Sequence, residues 1–205
     1  MSPGWVIWDV EVDMSRTERL RRRRGVLVTG LVLAAGVGLG GTAIATADPE
    51  QSRVAKQAHA EPAAPGTPCA ASVRACVDLE TRQAWLVRDG KVTGGPFRVT
   101  TGGEGKATPV GHSFRVYRKE KDHVSGEFNG PDGRPAPMPF SVFFADGGVA
   151  FHGGDRSRSS AGCIKLELGD AEAWFNELQT GDKVQVVNAS EENKERARAR
   201  QTAGV

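Results

Sequence analysis

A histidine and a cysteine eleven residues apart are the side chains of this sequence best suited to covalent chemistry. His152 ends a short apolar run, and Cys163 is flanked by Gly162 and by the apolar Ile164. A cysteine attacks through its thiolate, which a neighbouring imidazole produces by accepting the thiol proton. The segment 153–159 between them is polar, which predicts a surface loop whose ends meet. The spacing therefore predicts a catalytic pair, with Cys163 as nucleophile and His152 as general base and acid.

Small residues beside the cysteine predict a tight turn. At Gly162 the chain can bend so that the N–H groups of Gly162 and Cys163 face a developing oxyanion. Ser160 either orients the imidazole of His152 or holds the turn through a side-chain hydrogen bond. The alternative for the pair itself is structural, because a free cysteine often packs as a small apolar residue and a histidine often ends a strand.

The segment from Ser160 to Leu166 reads Ser-Ala-Gly-Cys-Ile-Lys-Leu. It resembles the signature of the L,D-transpeptidase catalytic domain family, which usually has histidine at the position of Ala161 and arginine at that of Lys165. Thr101-Gly102 and the run Thr108-Pro109-Val110-Gly111 are similar to two loops of that family. The resemblance covers about residues 75–188.

This resemblance implies a mostly β fold: a single β-sandwich-like catalytic domain with one helix near its C-terminal end. It also implies peptidoglycan stem peptides as substrates, a Cys163 thioester, and 3→3 cross-links or release of the terminal D-alanine. A carbapenem would form a covalent adduct on the same cysteine, and no cofactor is required. We add Lys165, Gly153 and His112 as candidate substrate-binding residues.

Two other function classes remain open: a non-catalytic wall-binding or scaffold protein on the same fold, and a cysteine peptidase with other substrates. The glycine-rich segment 102–106 lacks the glycine spacing and the following Ser or Thr of a phosphate-binding loop. A zinc site is not favoured either, because its candidate ligands lack recognisable spacing; they are His112, His123, His152 and Cys163.

The N-terminal region has the pattern of an export signal. A cluster of arginines precedes the uncharged segment 25–47, which ends in small residues, so we expect 14–47 to be a signal peptide or a membrane anchor. Residues 1–13 fit neither role, and we expect translation to start at Met14. The chain is therefore expected outside the cytoplasmic membrane or in the cell wall, touching the membrane only through an uncleaved anchor.

The charge balance argues against nucleic acid as a partner. The chain has a formal net charge of +2, and the first 47 residues account for it, so the remainder carries no basic footprint.

Three cysteines in an exported chain divide into one pair and one free thiol. We expect a disulfide between Cys69 and Cys76, although two reduced cysteines are the alternative. Cys163 is then the free thiol that a nucleophile requires.

The elements that must position these residues follow from the pattern of apolar positions. We expect a flexible linker over 48–68, a catalytic domain over 69–188 and a charged, solvated tail over 189–205. Segment 119–139 is charged and then proline-rich, which predicts an excursion over the surface that shapes a cleft. Short strands are expected elsewhere, at 75–79, 84–88, 92–100, 113–118, 141–144, 149–152 and 183–187, with Asp89-Gly90 as a hairpin turn.

One helix is expected after the cysteine segment. Asp170 is a candidate N-cap, and Ala171, Trp174 and Leu178 fall at helical spacing. Trp174 and Phe175 are expected in the core rather than in a sugar-binding platform.

Overall fold

The computed structural model describes residues 49–204. The predicted N-terminal extension, 1–13, and the predicted signal or anchor, 14–47, lie outside the described residues. Within the described part, no helix is both long enough and apolar enough to cross a membrane.

A five-stranded sheet forms the first layer of the fold. Its strands lie in the order β3-β2-β1-β9-β4, and β1 pairs in parallel with β9 while the other neighbours are antiparallel. The predicted Asp89-Gly90 hairpin turn is confirmed, because both residues have the positive φ that such a turn requires. The bounds are β1 Ala75–Asp78, β2 Gln83–Arg88, β3 Lys91–Arg98, β4 Gly111–Arg115 and β9 Lys183–Val187.

A four-stranded sheet forms the second layer, in the order β5-β6-β7-β8. Its strands β7 and β8 are parallel and the other pairs are antiparallel. The bounds are β5 Arg118–Asn129, β6 Pro135–Ala145, β7 Val149–Gly153 and β8 Ile164–Leu166.

The predicted surface excursion over 119–139 is wrong: this segment forms most of the long β5–β6 hairpin. Positions 135, 137 and 139 of β6 are proline, and alternate residues of a strand direct their backbone nitrogens to the same edge. These three nitrogens face the edge of β6 that is opposite to β5. Strand β7 pairs with that edge only from Val142 onwards, so no described strand pairs with it along the proline segment. The missing N–H groups therefore cost the sheet no hydrogen bonds, which proline content alone does not reveal.

The core lies between the two sheets and is closed by helix α2, Leu168–Glu177. Trp174 is fully buried and packs edge-on against Phe97 and beside Phe151, as predicted. The expected cap at Asp170 is wrong, because the N-cap residue is Glu167, three residues earlier, and the helix begins at Leu168. Asp170 instead lies in the first turn, where the helix dipole favours a carboxylate. A mostly β domain of two sheets with a helix beside them confirms the predicted fold class.

Both ends of the described chain are helical and pack on each other, contrary to the predicted linker and tail. Helix α1 spans Pro49–Ala60 and helix α3 spans Ala189–Ala203. On α3, Glu192 and Arg196 are each only 3% exposed and form an ion pair. The sequence of α3 lacks an apolar stripe, and its buried contact with the domain is made by these two charged side chains. The periodicity of apolar residues does not predict packing through buried charged side chains.

The segment after α1 is tied to the domain by a disulfide. Cys69 and Cys76 are bonded, as predicted. Cys69 packs with Val73 and Trp85 in a second apolar cluster on the outer face of the five-stranded sheet.

Candidate active site

Two adjacent parallel strands bring His152 and Cys163 together. His152 is on β7 opposite Lys165 of β8, and Cys163 directly precedes β8. Because alternate residues of a strand share a face, Cys163 lies on the same face as Lys165 and therefore on the side of His152. Cys163 and His152 both line one cavity of about 370 Å³. The predicted loop between them therefore does return the chain to the same place.

The cavity wall opposite the cysteine comes from the β5–β6 hairpin. Phe128, Met138 and Pro131 lie along this wall, and Ala161 and Lys165 lie on the side of the cysteine segment. Phe128 is about half exposed. The sequence pointed to this segment as a cleft-shaping one, and it does line the cavity, although as a hairpin.

A short strand-like segment holds the loop that carries Cys163. Ser160 N–H donates to the Thr101 carbonyl and Gly103 N–H donates to the Ser160 carbonyl, both at 3.1 Å. Thr100 makes a further bridge to Lys165. Gly102 has no room for a side chain, because a Cβ there would lie 2.0 Å from the Lys106 carbonyl oxygen. The Thr101-Gly102 loop thus holds the segment that carries Cys163 in place.

The imidazole of His152 is oriented by its neighbour. Its Nδ1 lies 2.9 Å from the Gly153 carbonyl oxygen, and a carbonyl only accepts, so Nδ1 carries the proton and Nε2 keeps its lone pair. His152 is 5% exposed, and burial lowers its pKa from 6.5 to about 4. At neutral pH His152 is therefore a neutral imidazole with a free basic nitrogen.

The thiol of Cys163 is half-buried and protonated in this state. Burial raises the pKa of Cys163, while the Ala150 N–H and the Lys165 ammonium oppose that rise. The thiol donates to the Gly148 carbonyl at 3.7 Å. The site thus combines a neutral thiol and a neutral imidazole at one cavity.

Ser160 serves the turn rather than the imidazole. Its hydroxyl donates to the Cys163 carbonyl at 2.5 Å and accepts from the Gly162 N–H at 3.1 Å. Gly162 has φ +114°, a conformation that side chains strongly disfavour. Of the two N–H groups expected to face an oxyanion, that of Gly162 is engaged in the turn. The Cys163 N–H is the remaining candidate.

The ammonium of Lys165 is committed to the loop. It donates to the carbonyls of Asp155, Arg158 and Ser159, at 3.0, 2.7 and 3.4 Å. Burial lowers the pKa of Lys165. An ammonium has three N–H groups, so these contacts use its donor capacity, and the structure gives Lys165 a positioning contact rather than a free charge for substrate.

The two other candidate substrate-binding residues do not line the cavity. Gly153 lies under helix α2, where a Cβ would lie 3.0 Å from Leu168, and its carbonyl is the group that orients His152. His112 is on β4 of the other sheet and bonds to Glu192. The sequence position of His112 after Gly111 carried no information about which sheet face it occupies.

Comparison with known proteins gives the family. The model of the L,D-transpeptidase catalytic domain (YkuD) family matches residues 72–186, which is more than half of the chain. No curated protein matches the sequence.

Solved L,D-transpeptidase structures are similar in fold. One from Mycobacterium smegmatis is 23% identical, with a TM-score of 0.50 over 57% of this chain and 58% of that one. LdtMt1 in complex with imipenem is 24% identical, with a TM-score of 0.50 over 57% of this chain and 59% of that one. One from Stackebrandtia nassauensis is 30% identical, with a TM-score of 0.49 over 56% of this chain and 54% of that one. The chain spans between half and three fifths of the length of each of these three structures. By its family match over residues 72–186, this chain belongs to the L,D-transpeptidase catalytic domain family.

Proposed function

We propose that this protein is an exported cysteine L,D-transpeptidase that acts on peptidoglycan stem peptides through a thioester on Cys163. The observation that carries the proposal is the pairing of Cys163 with a neutral, oriented imidazole at one cavity. Family membership supports the reaction class.

Acylation begins when a stem peptide enters the cavity and displaces the contact between the thiol and the Gly148 carbonyl. The sulfur attacks the carbonyl carbon of the diamino acid at position three, while Nε2 of His152 accepts the thiol proton. The imidazolium that forms is stabilised by its Nδ1–H bond to the Gly153 carbonyl. His152 then gives its proton to the departing amine, the C–N bond breaks, and D-alanine leaves.

Deacylation reverses the roles of the same groups. The amine of a second stem attacks the thioester carbonyl, and His152 accepts a proton from that amine. The C–S bond breaks and the sulfur takes the proton back from the imidazolium, which restores the starting state. The product is a 3→3 cross-link, and water in place of the amine gives a shortened stem.

The shape of the cavity suits a peptide that lies between the hairpin and the cysteine segment. Its wall combines the apolar Phe128 and Met138 with the polar loop that Lys165 holds. One structural neighbour is a complex with imipenem, and we propose that a carbapenem acylates Cys163 here in the same way.

The N-terminal sequence supports the proposed export. The arginine cluster and the uncharged segment 25–47 have the pattern of a signal that carries a domain across the cytoplasmic membrane. A disulfide between Cys69 and Cys76 is consistent with that oxidising location.

Intact-protein mass spectrometry with imipenem tests this function. We expect a single adduct on the wild-type protein, located on Cys163 by peptide mapping and missing from Cys163→Ala. A folded wild-type protein that stays unmodified across pH 5–8 would refute the proposal.

A second function, peptidoglycan binding without catalysis, is favoured by two features. Burial raises the pKa of the Cys163 thiol, and Ala161 stands at the cavity wall where the family usually has a histidine. Sedimentation with purified cell-wall sacculi separates the two functions. Equal retention of wild type and Cys163→Ala, without any acyl-enzyme or D-alanine release, supports the binding protein.

A further inference from the structure

Three potential metal ligands lie close together in a part of the structure that does not line the cavity of His152 and Cys163. His59 is near the end of helix α1, His112 is on strand β4, and Glu192 is in the first turn of helix α3. Their ligand atoms all lie within 4.8 Å of one another. Three elements separated by up to 133 residues thus present two imidazoles and one carboxylate to a common point.

Both imidazoles direct the same atom to the same oxygen. His112 Nε2 lies 2.7 Å and His59 Nε2 lies 3.1 Å from Glu192 Oε2. In a tetrahedral zinc site with ligand bonds near 2.0–2.1 Å, neighbouring donor atoms are about 3.3 Å apart. The two nitrogen-to-oxygen distances, 2.7 and 3.1 Å, are within about 0.6 Å of that spacing.

The other oxygen of Glu192 is held by an arginine. Arg196 Nε lies 2.9 Å from Glu192 Oε1 as an ion-pair contact, while the guanidinium donates its hydrogen bonds to the carbonyls of Pro68 and Glu61. The ion pair holds this oxygen beside the guanidinium and leaves Oε2 directed at the imidazoles, so the arginine is a charged outer-shell partner of the candidate ligand. The ion pair balances the charge of the buried carboxylate, and the ligand set offered to a cation is two imidazole nitrogens and one carboxylate oxygen.

Access from solvent is available on the imidazole side. The side chains of His59 and His112 are 13% and 14% exposed, while that of Glu192 is 2% exposed. A metal ion can enter at the imidazole edge, and a water molecule can complete its fourth position.

We propose that His59, His112 and Glu192 form a divalent cation site of the zinc class, which clasps helix α1 to the domain. Two histidines and one carboxylate are a ligand set that suits Zn²⁺. The metal joins the segment leading from the N-terminal region to β4 and α3, so it fixes where the chain enters the folded domain. This role is independent of the chemistry at Cys163.

Metal binding is measured on the full chain after treatment with a chelator. Inductively coupled plasma mass spectrometry and titration with Zn²⁺ are expected to give one equivalent per chain. Co²⁺ is expected to give the visible absorption of a tetrahedral nitrogen and oxygen site. At a free Zn²⁺ concentration of a hundred times Kd, Tm is expected to rise by about 5–10 °C.

Matched variants locate the metal. His59→Ala and His112→Ala are expected to lose the equivalent of Zn²⁺ and the rise in Tm, whereas His123→Ala, which removes a histidine paired with Glu120, is expected to keep both. Cys163→Ala is also expected to keep both, since it removes the thiol from the cavity. Circular dichroism of each chelated variant establishes that it is folded.

Three results overturn the proposal. They are the lack of stoichiometric binding to the wild type, retention of the metal by folded His59→Ala and His112→Ala, and loss of the metal in Cys163→Ala. In the first case the cluster is a hydrogen-bonded clasp that needs no metal.

Discussion

Replacing His152 with glutamine is expected to make the protein more resistant to acid. In the folded chain His152 has a pKa of about 4, against 6.5 when it is exposed. Between these two values the unfolded chain binds a proton that the folded chain does not, so the free energy of unfolding falls as the pH falls. The loss begins near pH 6.5 and is complete below pH 4.

The size of this effect follows from the two pKa values. Their difference corresponds to about 3 kcal/mol of unfolding free energy lost by the wild type between pH 7 and pH 4. His152→Gln has no titrating group at this position and lacks that loss. The other ionisable groups are the same in both proteins, and their contributions cancel in the comparison.

Urea denaturation with the disulfide intact measures the effect. We expect the difference in unfolding free energy, wild type minus His152→Gln, to be about 3 kcal/mol smaller at pH 4 than at pH 7. A change below about 1 kcal/mol would show that the folded imidazole titrates normally. It would then not be the buried neutral base that the mechanism requires.

Further substitutions test the supports of the site. Gly162→Ala forces a side chain into φ +114°. We expect a loss of about 1–3 kcal/mol in unfolding free energy and slower acylation by a carbapenem. The control Gly169→Ala, whose new side chain meets no neighbouring atom, is expected to be neutral or stabilising. Lys165→Met removes three contacts to the loop, and the acylation rate measured by stopped flow is expected to fall by roughly ten- to a hundredfold. Lys165→Arg is expected to react at a rate nearer to that of the wild type. An unchanged rate in Lys165→Met would show that Lys165 does not position the loop for the reaction. Arg196→Met leaves Glu192 buried without this ion-pair partner, and chemical denaturation is expected to show a loss of about 3–5 kcal/mol in unfolding free energy. A loss below about 1 kcal/mol, the usual size for an exposed ion pair, would show that α3 is a solvated tail.

The segment that carries His152 and Cys163 was predictable because its signal is local. A histidine, a polar loop and a small-residue turn before a cysteine predicted the pair, and parallel strands β7 and β8 supply the juxtaposition. The Trp174 core position and the Asp89-Gly90 turn were also local patterns, of helical spacing and of turn chemistry.

The remaining parts depend on contacts between distant residues. Helix α3 has no apolar stripe because its buried face is an ion pair whose arginine reaches carbonyls at residues 61 and 68. The roles of Lys165 and Ser160 depend on where their hydrogen-bond donors point. The residue type alone does not decide whether the partner is the substrate, the imidazole or a loop carbonyl. His112 gains its partners only when α1 and α3 pack beside β4, which no single segment encodes.

Incubation of the wild-type protein, with its disulfide intact, with a tetrapeptide stem tests the central claim most directly. Mass spectrometry of the quenched reaction is expected to show the tripeptide acyl group on Cys163 and one equivalent of released D-alanine, with both lost in Cys163→Ala and strongly slowed in His152→Gln. Folded protein that binds the stem but forms no acyl-enzyme and releases no D-alanine would contradict the account.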